Sequence, residues 1–204
     1  MGCVASGFCY GATMPILEYP IFIFSGASRV GKTSLARKVA SALGVSSASF
    51  GDYVRSQATL LLNERMATRQ QLQDIGQKLV MENPELLCCR VLAAGGFTPG
   101  RPMILDGLRH FRLVPVLQKM SPGAVLKLVY VEATQDLRID RWDGEITRSE
   151  LANVDSHPVE AELMDIRDNA DLIVDTRQGL EQCFRIVIEW IVELYPYLGV
   201  DRCS

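Results

Sequence analysis

Eight consecutive residues constrain this chain more than any others: Gly26, Ala27, Ser28, Arg29, Val30, Gly31, Lys32 and Thr33. They fit G-x-x-x-x-G-K-[ST], a pattern whose backbone cradles phosphate. Upstream, Ile21, Phe22, Ile23 and Phe24 form a continuous apolar run after Pro20, as expected of a strand buried on both faces. Downstream, Leu35, Val39, Ala42 and Leu43 share one helical face, with Gly44 as a stop signal. The motif therefore lies between a strand and a helix, the context that gives it meaning. Glycine at 26 and 31 lets the backbone turn tightly and bring N–H groups against phosphate oxygens. The helix N-terminus adds partial positive charge. Lys32 is a mobile cation suited to β- and γ-phosphates, and Thr33 offers a hydroxyl to Mg²⁺. The expected phosphate contacts run from Gly26 through Ser34. A glycine-rich turn without a ligand is the competing reading, and it does not account for the flanking strand and helix.

At 204 residues the chain suits one domain, or one domain with an inserted lobe. Hydrophobic residues make up 48% and charged residues 22%, as in globular proteins. A net charge of −3 provides no general attraction to nucleic acid. No apolar run approaches the roughly 18 residues of a membrane span. Cys3, Cys9, Cys88, Cys89, Cys183 and Cys203 include no C-x-x-C pair, and His110 and His157 lack zinc spacing. They read as reduced thiols of a cytoplasmic protein. Met1-Gly2-Cys3-Val4-Ala5-Ser6 formally fits an N-myristoylation pattern. A disordered leader over residues 1–19 is the favoured expectation. The absence of a basic residue before Arg29 argues against a signal peptide.

Beyond the first helix, a short strand is expected at Ala48 to Phe50. Helices follow at Val54 to Leu62, at Thr68 to Met81 with Leu72, Ile75 and Leu79 as its stripe, and from Pro84 to Gly95-Gly96. Pro102 to Leu105 reads as a strand ending on Asp106, Phe111 to Met120 as a helix, and Val125 to Val131 as a strand. Leu137 to Trp142 is helical, and the polar stretch Asp143 to Val154 reads as a mobile segment. A helix opened by Pro158, a strand at Leu172 to Val174 and a strongly striped helix from Leu180 to Val192 complete the chain. Strands alternating with helices imply a parallel sheet covered on both faces. The helical block 53–96 is too long for a simple crossover and is expected to form a lobe over the strand C-termini.

Met103-Ile104-Leu105-Asp106 is an apolar strand delivering a carboxylate, so Asp106 joins Thr33 as a candidate Mg²⁺ ligand. Asp106-Gly107-Leu108-Arg109 resembles the D-G-x-x-R-type segment of the nucleoside monophosphate kinases. Phe50-Gly51-Asp52-Tyr53-Val54-Arg55 is similar to the adenylate-kinase segment T-G-D-x-x-R. Arg138-Ile139-Asp140-Arg141 follows the fourth strand, where that superfamily keeps its lid arginines. Leu72-Gln73-Asp74-Ile75-Gly76 resembles deoxynucleoside monophosphate kinases and relatives of dephospho-coenzyme A kinase. The resemblance covers about residues 20–195, with Leu108 standing where adenylate kinases usually carry proline and with a short lid lacking a cysteine cluster.

The resemblance implies a P-loop NTPase three-layer sandwich. Its five-stranded parallel sheet has the order 2-3-1-4-5, one domain spans 20–204, and a short lid covers about 138–156. It implies ATP and Mg²⁺ as cofactors and a small-molecule, nucleotide-like acceptor. Lys32, Asp106, Arg138 and Arg141 are then expected to be catalytic, and Asp52, Arg55, Arg109 and Gln73 to face the acceptor. Forked guanidiniums suit an acceptor phosphate because they bind it bidentately. Arg138 and Arg141, three apart on a helix, share a face. Each arginine has a plain alternative as a solvated surface charge, Asp52 as a helix N-cap and Gln73 as an exposed helix residue. Arg148 is a weaker lid candidate. Two other functions compete: a regulatory ATPase module controlling a partner protein, and a kinase of nucleic-acid ends. The paired sets of arginines argue against the first, and the acidic balance against the second.

Overall fold

The computed structural model describes residues 18–62, 67–142, 146–156 and 158–199. The leader with its acylation pattern, together with Cys3, Cys9, His157 and Cys203, lies outside them. Five strands, β1 (Tyr19–Ser25), β2 (Ser46–Ser49), β3 (Met103–Leu108), β4 (Ala124–Glu132) and β5 (Leu172–Asp175), form one parallel sheet. Their order is β2-β3-β1-β4-β5, with β1 at the centre, as expected from the sequence.

The central strand shows why the sheet needs cover on both faces. Side chains alternate across a strand, and Ile21, Phe22, Ile23 and Phe24 are all fully buried. Ile21 and Ile23 face a cluster containing Leu87, Val91, Leu113, Leu117 and Ile166. Those residues come from α4 (Pro84–Ala94), α5 (Leu113–Met120) and α8 (Pro158–Asp168). Phe22 and Phe24 face Leu35, Val39, Val187 and Ile191, from α1 (Lys32–Leu43) and α9 (Leu180–Leu194). Each such side chain contributes about 1.5–3 kcal/mol relative to exposure. No helix among the described residues is long and apolar enough to cross a membrane.

Two helices, α2 (Phe50–Leu62) and α3 (Arg69–Glu82), pack on each other above β3. The next helix, α4, packs on α3 and α2 as well as on α5 and β2, and its Leu87 and Val91 face the sheet. The stretch Ser46-Ser47-Ala48-Ser49 runs as β2 at the sheet edge, earlier than the expected Ala48–Phe50, and Phe50 opens α2. The segment read as mobile contains α7 (Arg148–Asp155), started by a capping box between Thr147 and Glu150. Two reciprocal hydrogen bonds there satisfy helix N–H groups that polarity alone does not reveal. Before it, α6 (Gln135–Asp140) is capped by Thr134.

Candidate active site

The loop from Gly26 to Gly31 turns out of β1 into α1. At Gly26, with φ of 139°, a Cβ would lie 2.1 Å from the Val131 carbonyl oxygen, so no other residue fits. Ala27 packs on the core, and Val30 is buried. Arg29 holds a φ of 63°, the left-handed region, alone among described non-glycine residues. That conformation costs about 1–2 kcal/mol. The tip is held by the Arg29 guanidinium, which sits 5.2 Å over the Trp142 ring and donates to the Arg141 carbonyl at 3.3 Å. Helix α1 begins with no side chain on its first N–H groups, whereas Thr68 and Asn83 cap α3 and α4. Open donors at a helix start form an anion site when a cation stands beside them.

Lys32 is that cation. Its Nζ has the Ala27 carbonyl at 3.4 Å. Desolvation first, then the charge of Arg109 and of Arg69, holds its ammonium down to about 7, while Asp106 and Glu160 pull the other way. Desolvation and Arg109 likewise hold Arg69 down to about 10. The cations therefore outweigh the carboxylates, and a bound anion would relieve them.

Asp106 is buried. One of its oxygens accepts from the Thr33 hydroxyl at 2.7 Å. The other, Oδ1, is buried without a hydrogen-bond partner. Strand β3 reaches Leu108, beyond the expected end at Asp106, through an irregularity. Phe24 pairs with Asp106, but Ser25 pairs with Leu108, so Gly107, with φ of 84°, is the extra residue. Such a bulge re-aims the neighbouring side chains, here Asp106 and Arg109. Ser25 fixes it by donating to the Leu108 carbonyl at 2.6 Å.

Two cavities meet at this point. One of about 500 Å³ opens over the loop, between Ser28, Gly31, Ser34 and Trp142. One of about 130 Å³ lies among α2, α3 and β3, floored by Phe50, Val54, Val80 and Leu113. Lys32, Thr33, Arg55, Arg69 and Leu72 line both.

The expected acceptor residues divide. Arg109 and Gln73 line the smaller cavity. Gln73 is buried rather than exposed, and its Nε2 donates to Glu160 Oε1 at 3.2 Å. Arg109 pairs with the same Glu160 oxygen and donates to Ser28 Oγ at 3.3 Å. Arg55 lines both cavities and is paired with Asp52. Asp52 is half-exposed, lies inside the first turn of α2 rather than capping it, and lines neither cavity. Arg138 is buried: its Nε donates to the Ser28 carbonyl at 2.8 Å, and its two Nη atoms reach Asp155 at 2.8 and 2.6 Å. Arg141 donates to the Val30 carbonyl at 2.9 Å and to Thr176 Oγ1 at 2.8 Å. Both arginines thus brace the loop from outside, and neither lines either of these two cavities. Arg148 is exposed and paired with Asp136 at 2.5 Å.

Sequence reasoning missed Arg69, Glu160 and His110. Arg69 carried one signal: a cation in the first turn of a helix opposes its dipole. Glu160 comes from α8 and carried none. His110 is buried against Glu162 at 3.0 Å, and burial pushes its imidazole down.

No protein-family model matches the chain, and no curated protein matches it. Solved structures do. A shikimate kinase from Acinetobacter baumannii, in complex with shikimate, aligns with a TM-score of 0.56 at 14% identity, over 87% of this chain and 95% of that one. A gluconokinase from Sinorhizobium meliloti 1021 aligns with a TM-score of 0.54 at 17% identity, over 88% and 95%. A shikimate kinase from Bacteroides thetaiotaomicron aligns with 0.54 at 13% identity, over 84% and 97%. The chain has the P-loop kinase fold. Gly26–Thr33 runs from the central strand β1 into α1.

Proposed function

We propose that this chain is an ATP-dependent small-molecule kinase that moves the γ-phosphate to a nucleotide-like, phosphorylated acceptor. The observation carrying this reading is the pair of adjoining cavities that share Lys32, Thr33, Arg55 and Arg69. A regulatory ATPase needs the first cavity only. The second, with Arg55, Arg69 and Arg109 on its wall, suits a substrate bearing its own negative charge.

The residues present fit Mg²⁺. Thr33 and Asp106 face each other as hydroxyl and carboxylate, and Asp106 has a buried oxygen still unmet. Hard oxygen donors of this kind suit that ion. No three Asp, Glu, His or Cys side chains cluster among the described residues, so nucleotide oxygens and water would complete the shell. When bound, the ion would neutralise charge on the phosphates. The chain's own work is positioning. Open α1 N–H groups and Lys32 would hold the donor phosphates, while Arg55 and Arg109 would hold the acceptor's anionic group. Arg138 and Arg141 act through the loop, as positioning residues, by fixing the carbonyls of Ser28 and Val30. We assign α2 and α3 as the acceptor lobe.

The smaller cavity narrows the acceptor. Its volume of about 130 Å³ is close to the roughly 150 Å³ of a cavity that takes one benzene ring. Its apolar floor and the buried Gln73 suit a single polar-edged ring, so pyrimidine nucleoside monophosphates are the favoured acceptors over purine ones. Gly76, inside α3, lines this cavity, and a Cβ there would meet Val54 at an ordinary 3.7 Å. A helical glycine costs about 1 kcal/mol against alanine, which the room it leaves for a ligand would explain. Gly76→Leu is expected to fill the cavity. The acceptor KM should then rise tenfold or more while ATP affinity, by calorimetry, stays within a factor of three. An unchanged acceptor KM would remove this cavity from the reaction.

A further inference from the structure

We infer that Arg69 is the catalytic cation that stays on the phosphoryl group as it passes between the two cavities. This rests on the kinase reading above.

Three independent features single it out. The first is position. Arg69 lines both cavities, whereas Arg109 lines only the smaller one and Arg138 and Arg141 line neither. Arg55 is the other arginine common to both, but its side chain is 56% exposed and paired with Asp52, so solvent screens it. The Arg69 side chain is 36% exposed.

The second feature is unmet hydrogen bonding. The Arg69 Nη2 donates to Ser28 Oγ in the loop and lies 3.6 Å from Glu160 Oε1. Its Nε is buried with no hydrogen-bond partner. Glu160 Oε1 is also claimed by Arg109 and Gln73, and Ser28 Oγ by Arg109. Acceptors are thus scarcer than donors around this guanidinium. Arg138 is the contrast, with its Nε and both Nη atoms matched. A buried N–H left unmet is destabilising, and phosphoryl oxygens would supply the missing acceptors.

The third is local placement. Arg69 opens α3 immediately after its cap, Thr68. A cation there works against the helix dipole. The residue does not serve the helix that carries it. Instead its side chain crosses to the phosphate-binding loop.

The step balances simply. The bond from the γ-phosphorus to the bridging oxygen breaks, and its electron pair leaves with ADP. A bond forms from the same phosphorus to an oxygen of the acceptor's anionic group, which carries no proton to lose. Charge spreads over the three equatorial oxygens in between. A cation shared by donor and acceptor sites touches those oxygens throughout, so its stabilisation falls mainly on the transition state.

The test compares binding of ADP with Mg²⁺ to binding of ADP with Mg²⁺ and aluminium fluoride, a mimic of the transferring group, by titration calorimetry. The wild type is expected to bind the mimic at least 100-fold more tightly than ADP. Arg69→Ala should lose most of that gain while its affinity for ADP stays within threefold. Arg69→Lys, which keeps charge and bulk, should recover only part, because an ammonium lacks the planar fork. In turnover, kcat should fall about 10²- to 10³-fold with the KM of ATP unchanged. If Arg69→Ala, or Arg69→Lys should the alanine variant not fold, binds the mimic as the wild type does, the assignment is wrong and the kinase reading survives. If the wild type binds ADP without any gain from aluminium fluoride, both fall together.

Discussion

Lys32→Ala is expected to lower phosphoryl transfer by about 10²-fold or more, the scale of losing a major electrostatic stabiliser. The protein should remain folded. Within the chain, Lys32 Nζ has only the Ala27 carbonyl, at a long 3.4 Å, as a hydrogen-bond partner among the described contacts. Its charge also works against the folded state, since desolvation and the nearby arginines hold the ammonium down to about 7. The sign follows from linkage. Between about pH 7 and the unfolded value near 10.4 the unfolded chain holds more protons at this site, so the unliganded protein gains stability as pH rises through that window. A bound phosphate reverses the shift. Nucleotide binding at pH 8 should therefore take up a proton, and affinity should fall about tenfold or more from pH 6.5 to pH 9. Calorimetry in two buffers of different ionisation enthalpy measures the uptake. A folded Lys32→Ala protein with near wild-type turnover, or pH-independent nucleotide binding in the wild type, contradicts the role given to Lys32.

Gly26→Ala is expected to do the opposite to the fold. Its added methyl would sit 2.1 Å from the Val131 carbonyl oxygen, on backbone that cannot swing away as a side chain can, and at a φ of 139°. Overpacking and backbone strain together cost on the order of 3 kcal/mol. For a domain of this size that lowers Tm by roughly 6–12 °C. Because β4 and the loop are forced apart at the same point, nucleotide binding should be lost in whatever fraction folds. Thermal unfolding with nucleotide titration checks this. A variant with unchanged Tm and intact binding would mean that the loop is not built against β4 as described.

What the sequence revealed and what it hid divide along a physical line. Features whose cause is local were legible. The apolar run of β1, the stripe of α9 and the glycine-lysine loop each carry their reason within a dozen residues. The alternation of strands with helices implied a parallel sheet covered on both faces, while its order, with β1 central, came from the family resemblance. The start of strand β2 is hidden because Ser46-Ser47-Ala48-Ser49 has little apolar content, which an edge strand can tolerate and periodicity does not show. Helix α7 lies in a stretch whose polarity suggests mobility, although Thr147 and Glu150 spell its capping box. The site followed the same division. Lys32, Thr33 and Asp106 come together in the structure, as their motifs required. The partnership of Arg69, Arg109 and Gln73 around Glu160 joins α3, the segment just after β3, and α8. No short pattern encodes such a contact. The converse holds for Arg138 in α6 and Arg141 just after it. Their spacing suggests one shared face, yet only Asp155, Thr176 and the loop carbonyls show what each side chain meets.

The central claim is that phosphate leaves ATP for a small acceptor rather than for water. The direct measurement incubates the wild-type protein with ATP and Mg²⁺ and a panel of pyrimidine and purine nucleoside monophosphates and dephospho-coenzyme A, with mass spectrometry of every small molecule. The predicted result is one acceptor gaining a single phosphate in step with ADP formation, with pyrimidine monophosphates ahead of purine ones. ADP and free phosphate accumulating with no phosphorylated acceptor would contradict it and favour the regulatory ATPase.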